Sequence, residues 1–532
     1  MAKQMDELFA PWNKPDTPGV AVMVTKNGRT IVKKGYGIAN LEYGIPITAD
    51  TVFDTCSVSK QFTGFAIATL VEEGGITVTD DIRTYLPEMA NLGKPVTIQH
   101  LLHHTSGLRD WGQPLGAQGW RDDDPVSFDD IIAMAYHQQD LNFTPGDEYD
   151  YTNTGYNLLV KITERVTGQS FRAWTDEHIF RPLGMKNSHF HDEHNEIVTN
   201  LAYSYCPAGN GSFRKAPCNV TAIGSSSLYS TASDLAKWLQ NLMDAKVGGR
   251  AVIDRMMERG TFNDGGTVNY GFGLAFGEYR GMKVIEHGGL LAGYRTITRL
   301  LPDQELAVVV LSNLSTVDVG SLANRAVDIS LGIKPDSEQS KPAPAEHTAV
   351  QVDPALYDSL VGTYKLGPTQ VASVMKEHDR LFWQITRGPK VELTPESETS
   401  YFDQNGNVLV FDTKTGTAEL TWPGGRKASG KRVTLLSGKQ FDEFVGEYYS
   451  EELRTYYWVL ISDGALVARQ ARYGDLPLID CGGDQFTSTP WWMGRVDFDR
   501  DAKGAITGFR ITVPRMRNLR FTKRSSDLPP MR

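Results

Sequence analysis

Cysteine is scarce in this chain of 532 residues: Cys56, Cys206, Cys218 and Cys481 are the four. Only Cys206 and Cys218 lie close together, and no C-x-x-C pair occurs, so neither a disulfide framework nor a cysteine zinc cage is written here. Long apolar runs are missing too. No stretch of about 18 apolar residues is present, which excludes a transmembrane helix. The opening residues, Met1, Ala2, Lys3, Gln4, Met5, Asp6 and Glu7, lack the apolar core of a leader peptide. These absences point to a cytoplasmic protein, or to a periplasmic or secreted one if a leader has been removed. An excess of positive charge is also absent. The net charge is −10, which argues against a nucleic-acid partner and against an anionic membrane surface. What remains is an ordinary globular composition, 40% apolar and 22% charged. The length exceeds what one hydrophobic core organises, so about two to four domains are expected.

Residues 54–75 organise the rest. The spacing predicts a helix opening near Ser57 and stopping at Gly74-Gly75, a pair suited to a left-handed C-cap. Phe62, Phe65, Ala66, Ile67, Ala68, Leu70 and Val71 make it apolar on nearly every side, so it belongs in an interior. Ser57 and Lys60 sit three apart in its first turn, hence on one face. A serine hydroxyl needs a base before it attacks. Burial and the positive end of a helix both push a lysine towards its neutral, basic form. The backbone N–H groups of the same turn can face an oxyanion. S-x-x-K is nevertheless short, and about one or two chance matches are expected in a chain this long. A second match, Ser212-Phe213-Arg214-Lys215, follows Asn210-Gly211 and reads as a loop. Cys56 adjoins Ser57 and is either an alternative nucleophile or a small buried packing residue.

Elsewhere the pattern is mixed. Val20, Ala21, Val22, Met23 and Val24 face Thr30, Ile31 and Val32 across Asn27-Gly28, a β-hairpin signal. Residues 99–107 read as a short helix ending at Gly107, and 112–125 as a loop rich in Gly, Asp and Pro. Of His100, His103 and His104, the last two are neighbours in sequence and do not share a helix face, which disfavours a metal site. His189, His191 and His194 spell H-x-H-x-x-H, read as a polar loop because no cysteine or obvious fourth ligand adjoins them. Residues 157–166 and 235–243 read as helices, 306–311 as a central strand and 319–330 as a closing helix. Residues 334–354 carry Pro335, Pro342, Pro344 and Pro354 and read as an extended linker. Beyond them come short strands with Gly, Asn and Asp turns, the pattern of small β-barrels. Leu360-Val361-Gly362-Thr363-Tyr364 is answered by Phe444-Val445-Gly446-Glu447-Tyr448, which suggests two barrels in tandem.

Serine–lysine chemistry needs a second proton-handling group and a strand edge to align the substrate. Tyr151, Thr152 and Asn153 offer a phenol and an amide in a loop before a helix. His287-Gly288-Gly289 offers a strand whose glycines allow close backbone approach. Lys414-Thr415-Gly416 also spells K-T-G, but between two apolar strand patterns it reads as a hairpin turn.

The order S-x-x-K, Y-x-N, H-x-G, with the context at 98–108 and Pro145-Gly146, resembles the penicillin-recognising serine hydrolases. That family holds class C β-lactamases, D-alanyl-D-alanine carboxypeptidases, D-aminopeptidases and related esterases. The resemblance runs from about residue 19 to 332. It implies an α/β, β-lactamase-like catalytic domain over 1–333, with an antiparallel sheet flanked by helices plus a helical region. A linker over 334–354 and two small lipocalin-like antiparallel β-barrels, 355–437 and 438–532, would follow. It implies Ser57 as acylated nucleophile, Lys60 and Tyr151 as proton carriers and His287 in place of the lysine of K-T-G. Asn153 would hold the substrate amide, and Gly288, Gly289 and Leu290 would form the binding strand, with the N–H groups of Ser57 and Leu290 as oxyanion hole.

The H-x-G variant and the tail lean towards the D-aminopeptidase branch, which acts on amides and peptides bearing D-amino acids. In that branch a long loop from the last barrel enters the cleft; here the matching stretch, with Trp491 and Trp492, looks too short and reads as barrel packing. The alternatives are a carboxypeptidase, with Arg295 or Arg299 for the substrate carboxylate, a β-lactamase, a promiscuous esterase, or a non-catalytic binding protein. No cofactor and no metal are expected. The expected partner is a small molecule or short peptide, and a homodimer is compatible with the sequence.

Overall fold

The computed structural model describes residues 1–334, 347–368 and 370–524. The proline-rich linker expected over 334–354 therefore falls largely outside the described residues. The chain divides into two compact units. The first holds Met1–Trp111 and Arg121–Pro335; the second holds Gly112–Trp120 and Asp336–Arg532.

The first unit is built on a six-stranded antiparallel sheet. Its order is Ala275–Tyr279, Met282–Leu291, Tyr294–Leu301, Leu306–Ser312, Val20–Lys26, Arg29–Tyr36. The first and last strands of the domain thus pair at its centre. The Val20–Lys26 hairpin closes as expected, with Asn27 at φ +50° and Gly28 at φ +69°, the left-handed pair that a tight two-residue turn needs. Leu306–Ser312 is buried at every residue. The reason is that both faces of the sheet are covered. Ala307, Val309 and Leu311 point into one apolar cluster with Ala21 and Met23. Leu306, Val308 and Val310 point into another with Val20, Val22 and Val24. A side-chain period of two on a sheet buried from both sides gives an unbroken apolar run.

The Lys60–Glu72 helix belongs to the first cluster, and every residue from 60 to 70 is buried. The expected helix is real, but it is preceded by a 3₁₀ turn, Cys56–Ser59, that carries Ser57. Gly74 follows at φ +75°. Three further expectations are corrected. The helix in the 99–107 region is Ile98–Leu102; it stops early because His103 is the cap and His104 turns left-handed at φ +58°. The helix expected over 157–166 is Asn153–Thr167, closed by left-handed Gly168. Ser212–Lys215 is an exposed hairpin strand paired with Tyr205–Gly209, not a loop.

The second unit holds two antiparallel barrels. Eight strands from Gly362–Lys365 to Lys427–Val433 form a closed barrel. Nine more form a sheet whose outermost members are Gly474–Pro477 and Ile479–Asp480. Only Leu478 separates those two edges in the chain, so the sheet comes nearly full circle. The tandem repeat is structural. Gly362 and Gly446 each open the first strand of a barrel. The hydroxyls of Tyr364 and Tyr448 each donate to the carbonyl four residues back, Leu360 at 2.8 Å and Phe444 at 2.6 Å. Lys414-Thr415-Gly416 lies in a hairpin turn, with Gly416 at φ +67°.

The stretch read as a loop from 112 contains a helix, Gly112–Gln118, and it packs with the barrels. Tyr457 donates to the Ala117 carbonyl at 2.8 Å, and the Gln118 amide to the Leu453 carbonyl at 2.9 Å. Gln470 donates to the Gln118 carbonyl at 3.0 Å. Gly116 is required there, since a Cβ would stand 2.3 Å from the Trp492 ring. Trp492 is accordingly buried, whereas Trp491 stays half exposed. Among the described residues no helix is long and apolar enough to cross a membrane.

Candidate active site

Every residue from 51 to 70 is buried except Ser57, which keeps partial access to solvent. The turn that presents it is held from several sides. Cys56, immediately before it, has φ +53°, a left-handed conformation unfavourable for a residue with a side chain. The Asp54 carboxylate accepts the Cys56 N–H at 2.8 Å, and Thr55 N–H donates to the Leu228 carbonyl at 2.8 Å. Asp54 is fully buried, and desolvation pushes its carboxyl up to about 6, opposed by the Cys56 N–H and the Cys218 thiol. The Cys56 thiol is raised well above its ordinary range, first by burial and then by Asp54. A buried thiol of that kind is inert, so Cys56 is a packing residue.

Lys60 is wholly buried. Its Nζ donates to the Ser225 carbonyl at 2.7 Å and to Asn153 Oδ1 at 2.8 Å, and lies 3.2 Å from Ser57 Oγ. The two acceptors take two hydrogens whatever the charge on the amine. Beyond those two, an ammonium has a third N–H to donate and a free amine has a lone pair to accept a proton. Ser225 is held in place by Asn157, whose amide donates to Ser225 Oγ at 3.1 Å and to the Ile223 carbonyl at 2.9 Å.

Asn153 is the first residue of its helix. Asp110 accepts its N–H at 2.9 Å and its side-chain amide at 3.2 Å. A carboxylate on the first N–H of a helix is favourable, and here it also orients the amide oxygen towards Lys60. Tyr151 is set by His104: the left-handed turn at His104 lets its Nδ1 accept the Thr152 N–H at 3.2 Å. The two rings lie 4.2 Å apart. Lys60 Nζ is 4.9 Å from the Tyr151 ring centre.

His287 lies on Met282–Leu291 and is buried. Its Nδ1 is 2.7 Å from the Gly288 carbonyl and its Nε2 is 2.8 Å from the Tyr270 hydroxyl. The carbonyl can only accept, so Nδ1 carries the proton and Nε2 accepts from Tyr270. Burial, then the nearby Lys60, lowers the ring to about 3, so it is neutral at neutral pH. Its ring centre is 6.2 Å from that of Tyr151. The neighbouring strand Ala275–Tyr279 pairs with this one only as far as Glu286. From His287 onward that backbone edge lies open in the sheet, and Leu290 on it is 67% exposed. Gly289 lets the strand meet the Ser57 turn, because a Cβ there would sit 2.5 Å from the Thr55 carbonyl and 2.8 Å from Cys56 Cβ. Gly288 points away, with nothing nearer than 3.8 Å.

The fold thus gathers Ser57, Lys60, Tyr151, Asn153, His287, Gly289 and Leu290 around one partly open point. Sequence reasoning missed Asp110, His104, Ser225 and Tyr270. None has a spacing signal, since each acts across 17 to 165 residues of chain. Of the two arginines after His287, Arg299 is committed to Glu286 at 2.6 Å. Arg295 pairs in register with Leu290 and donates to the Tyr294 carbonyl at 2.6 Å.

The chain is similar to known proteins over most of its length. It is 28% identical to the D-aminopeptidase of Brucella anthropi over 522 residues, 93% of each chain. It is 28% identical to penicillin-binding protein 4* of Bacillus subtilis over 417 residues, 75% of this chain and 91% of that one. A solved structure, the octameric penicillin-binding protein homologue of Pyrococcus abyssi, matches 81% of this chain and 99% of its own, with a TM-score of 0.57 and 26% identity. The Beta-lactamase family matches residues 4–331, a span that holds all six strands of the first unit's sheet; the chain belongs to that family and is one of its serine hydrolases.

Proposed function

We propose that this enzyme hydrolyses amides or short peptides bearing a D-amino acid through an acyl-enzyme on Ser57. The observation that carries the proposal is the lone accessible hydroxyl in a buried run, 3.2 Å from the amine of Lys60. Ser57 Oγ attacks the substrate carbonyl and passes its proton to Nζ. The oxyanion that forms is received by the N–H groups of Ser57 and Leu290. Lys60 and Tyr151 return the proton to the leaving amine. Water then attacks the acyl-serine by the reverse route and releases the acid. Asn153 keeps the amine aimed and holds the substrate amide, and the open edge after His287 aligns the substrate backbone.

The neutral ring of His287 supports an amidase or aminopeptidase. It puts no cation where the K-T-G lysine of β-lactamases would attract a carboxylate. The full-length similarity to the Brucella anthropi D-aminopeptidase, barrels included, supports the same reading. A carboxypeptidase has one observation in its favour: Arg295 stands in register with Leu290 beside the open edge.

The test is a panel of paired D- and L-alanine amides, p-nitrophenyl acetate, a penicillin and N-acylated D-Ala-D-Ala, with Ser57→Ala as control. Turnover of the D-amide well above the L-amide and the acylated dipeptide is expected, and its loss in the folded control. Preference for the acylated dipeptide assigns the carboxypeptidase reading instead. Equal turnover by Ser57→Ala overturns both.

A further inference from the structure

We propose that His189, His191 and Glu196 bind one divalent transition-metal ion of the zinc class, at the outer strand of the sheet that backs the Ser57 turn. The H-x-H-x-x-H spelling points to three histidines, but the fold makes a different set. His189–Phe190 is a short strand, and Phe190 is fully buried. Alternation sends the rings of His189 and His191 to the opposite face together. Glu196 comes back to them around the following turn, with its N–H on the Glu193 carbonyl at 2.9 Å. One ligand atom from each of the three lies within 4.8 Å of the others, and His194 is not of the group.

Two ring nitrogens argue for a ligand. His191 is 3% exposed, and its buried Nδ1 has no hydrogen-bond partner; buried His189 Nε2 has none either. Native structures rarely leave such atoms unmatched. His191 Nδ1 is 3.8 Å from Glu196 Oε2, and a tetrahedral zinc site needs its ligand atoms about 3.3 Å apart. Closure therefore asks the three ligand atoms, within 4.8 Å of one another, to draw in, and Glu196 is solvent-exposed and able to move. The histidine rings are already oriented. The His191 ring stacks on Tyr229 at 4.2 Å, and the backbone N–H of His191 donates to the Ser227 carbonyl at 2.8 Å.

Arg172 is the competing cation. Its Nη1 donates to Glu196 Oε2 at 2.6 Å and its Nη2 to Oε1 at 2.9 Å. Nη1 also reaches Asp192 at 2.6 Å. With the ion on Oε2, Arg172 keeps Oε1 and Asp192 and becomes the outer partner that orients the ligating carboxylate. Two imidazoles, one carboxylate and a water fit Zn²⁺, Co²⁺ or Ni²⁺ rather than Mg²⁺ or Ca²⁺.

The ion would act at a distance from the substrate. His189 pairs with Tyr229, and Tyr229 pairs with Asp54 on the other side of the same small sheet. The site therefore pins the sheet from which the Ser57 turn departs. Ser227, which receives the His191 N–H, is two residues from Ser225, the anchor of Lys60.

The test uses the full chain, made without a polyhistidine tag and stripped with a chelator. Zn²⁺ is titrated against a chromophoric competitor, and Co²⁺ is followed by its visible d–d bands. One Zn²⁺ per chain is expected, with Co²⁺ bands that Zn²⁺ abolishes and a Tm raised by Zn²⁺. Glu196→Gln, at an exposed position, and His191→Phe, which keeps an aromatic ring on Tyr229, should each weaken Zn²⁺ at least tenfold, with the melting curve of each without metal as the check on folding. His194→Ala should leave it unchanged. Wild-type protein without a stoichiometric Zn²⁺, or Glu196→Gln binding as tightly as wild type, overturns the proposal.

Discussion

Gly289→Ala tests whether the binding strand must touch the nucleophile turn. An ideal Cβ at this position would lie 2.2 Å from Thr296 Oγ1, 2.5 Å from the Thr55 carbonyl oxygen and 2.8 Å from Cys56 Cβ. Ordinary contacts there need about 3.3 Å or more. Rotating Thr296 does not solve the problem, because its hydroxyl donates to the Thr55 carbonyl at 2.8 Å and that oxygen is itself an obstacle. The strand or the turn must therefore move by roughly 0.8 Å, at the point where the proposed mechanism brings carbonyl carbon, Ser57 Oγ and oxyanion donors together. A misplacement near 1 Å lowers rates on the order of a hundredfold, or about 2.7 kcal/mol of barrier. Overpacking lowers stability by about 1–3 kcal/mol. Gly288→Ala is the internal control, with 3.8 Å of free space and the same change in chemistry. The assay is the second-order rate of acylation by a fluorophosphonate, which needs no assumption about substrate, beside thermal melting of each variant. Gly289→Ala should acylate about a hundredfold more slowly while Gly288→Ala stays within a few fold. Equal rates in the two variants would show that the strand and the Ser57 turn need no such close contact.

Asp110→Ala removes both acceptors of Asn153. It should cost about 1–2 kcal/mol in stability and slow acylation more than it weakens substrate binding, read as kcat against KM. Between pH 6.5 and 5, thermal melting should report His287 and His103, lowered to about 3 and about 4, mainly by burial. The unfolded chain takes protons there that the folded chain refuses, so the stability each gives is full above about pH 6.5 and falls as pH drops, by up to about 1.4 kcal/mol per pH unit for each ring. His287→Gln should flatten that slope. Asp54, raised to about 6, has the opposite sign, because the folded chain holds its proton first; Asp54→Asn should steepen the slope. Tyr364→Phe and Tyr448→Phe, measured by urea unfolding, should each lose about 1 kcal/mol, since each strips the same buried bond from one copy of the repeat.

Much of this architecture was legible because local chemistry and burial agree. A helix apolar on all sides can only be central, and 60–70 are buried throughout. Asn27-Gly28 could only be a tight turn, and the tyrosine of each repeat recurs because its hydroxyl closes the same bond. What stayed hidden depends on partners far along the chain. Asp110 meets Asn153 across 43 residues. The Gly112–Gln118 helix contains Gly and Pro and is stabilised by Tyr457 and Gln118–Leu453 contacts more than 330 residues away. His103 and His104 end a helix that the pattern extends to Gly107, because His104 bends away to hold the Thr152 N–H. Glu196 gave no signal beside His194, since only the turn after the short strand decides which side chain returns.

In the proposed mechanism Lys60 makes the hydroxyl of Ser57 nucleophilic from within the protein core. The most direct measurement is intact-mass and peptide mapping after brief exposure to a fluorophosphonate, for wild type, Lys60→Met and Ser57→Ala in parallel. One adduct per chain is expected on the Ser57 peptide of wild type, none in Ser57→Ala, and labelling slowed by at least a hundredfold in Lys60→Met. An adduct on another residue, or Lys60→Met labelled as fast as wild type, would contradict it.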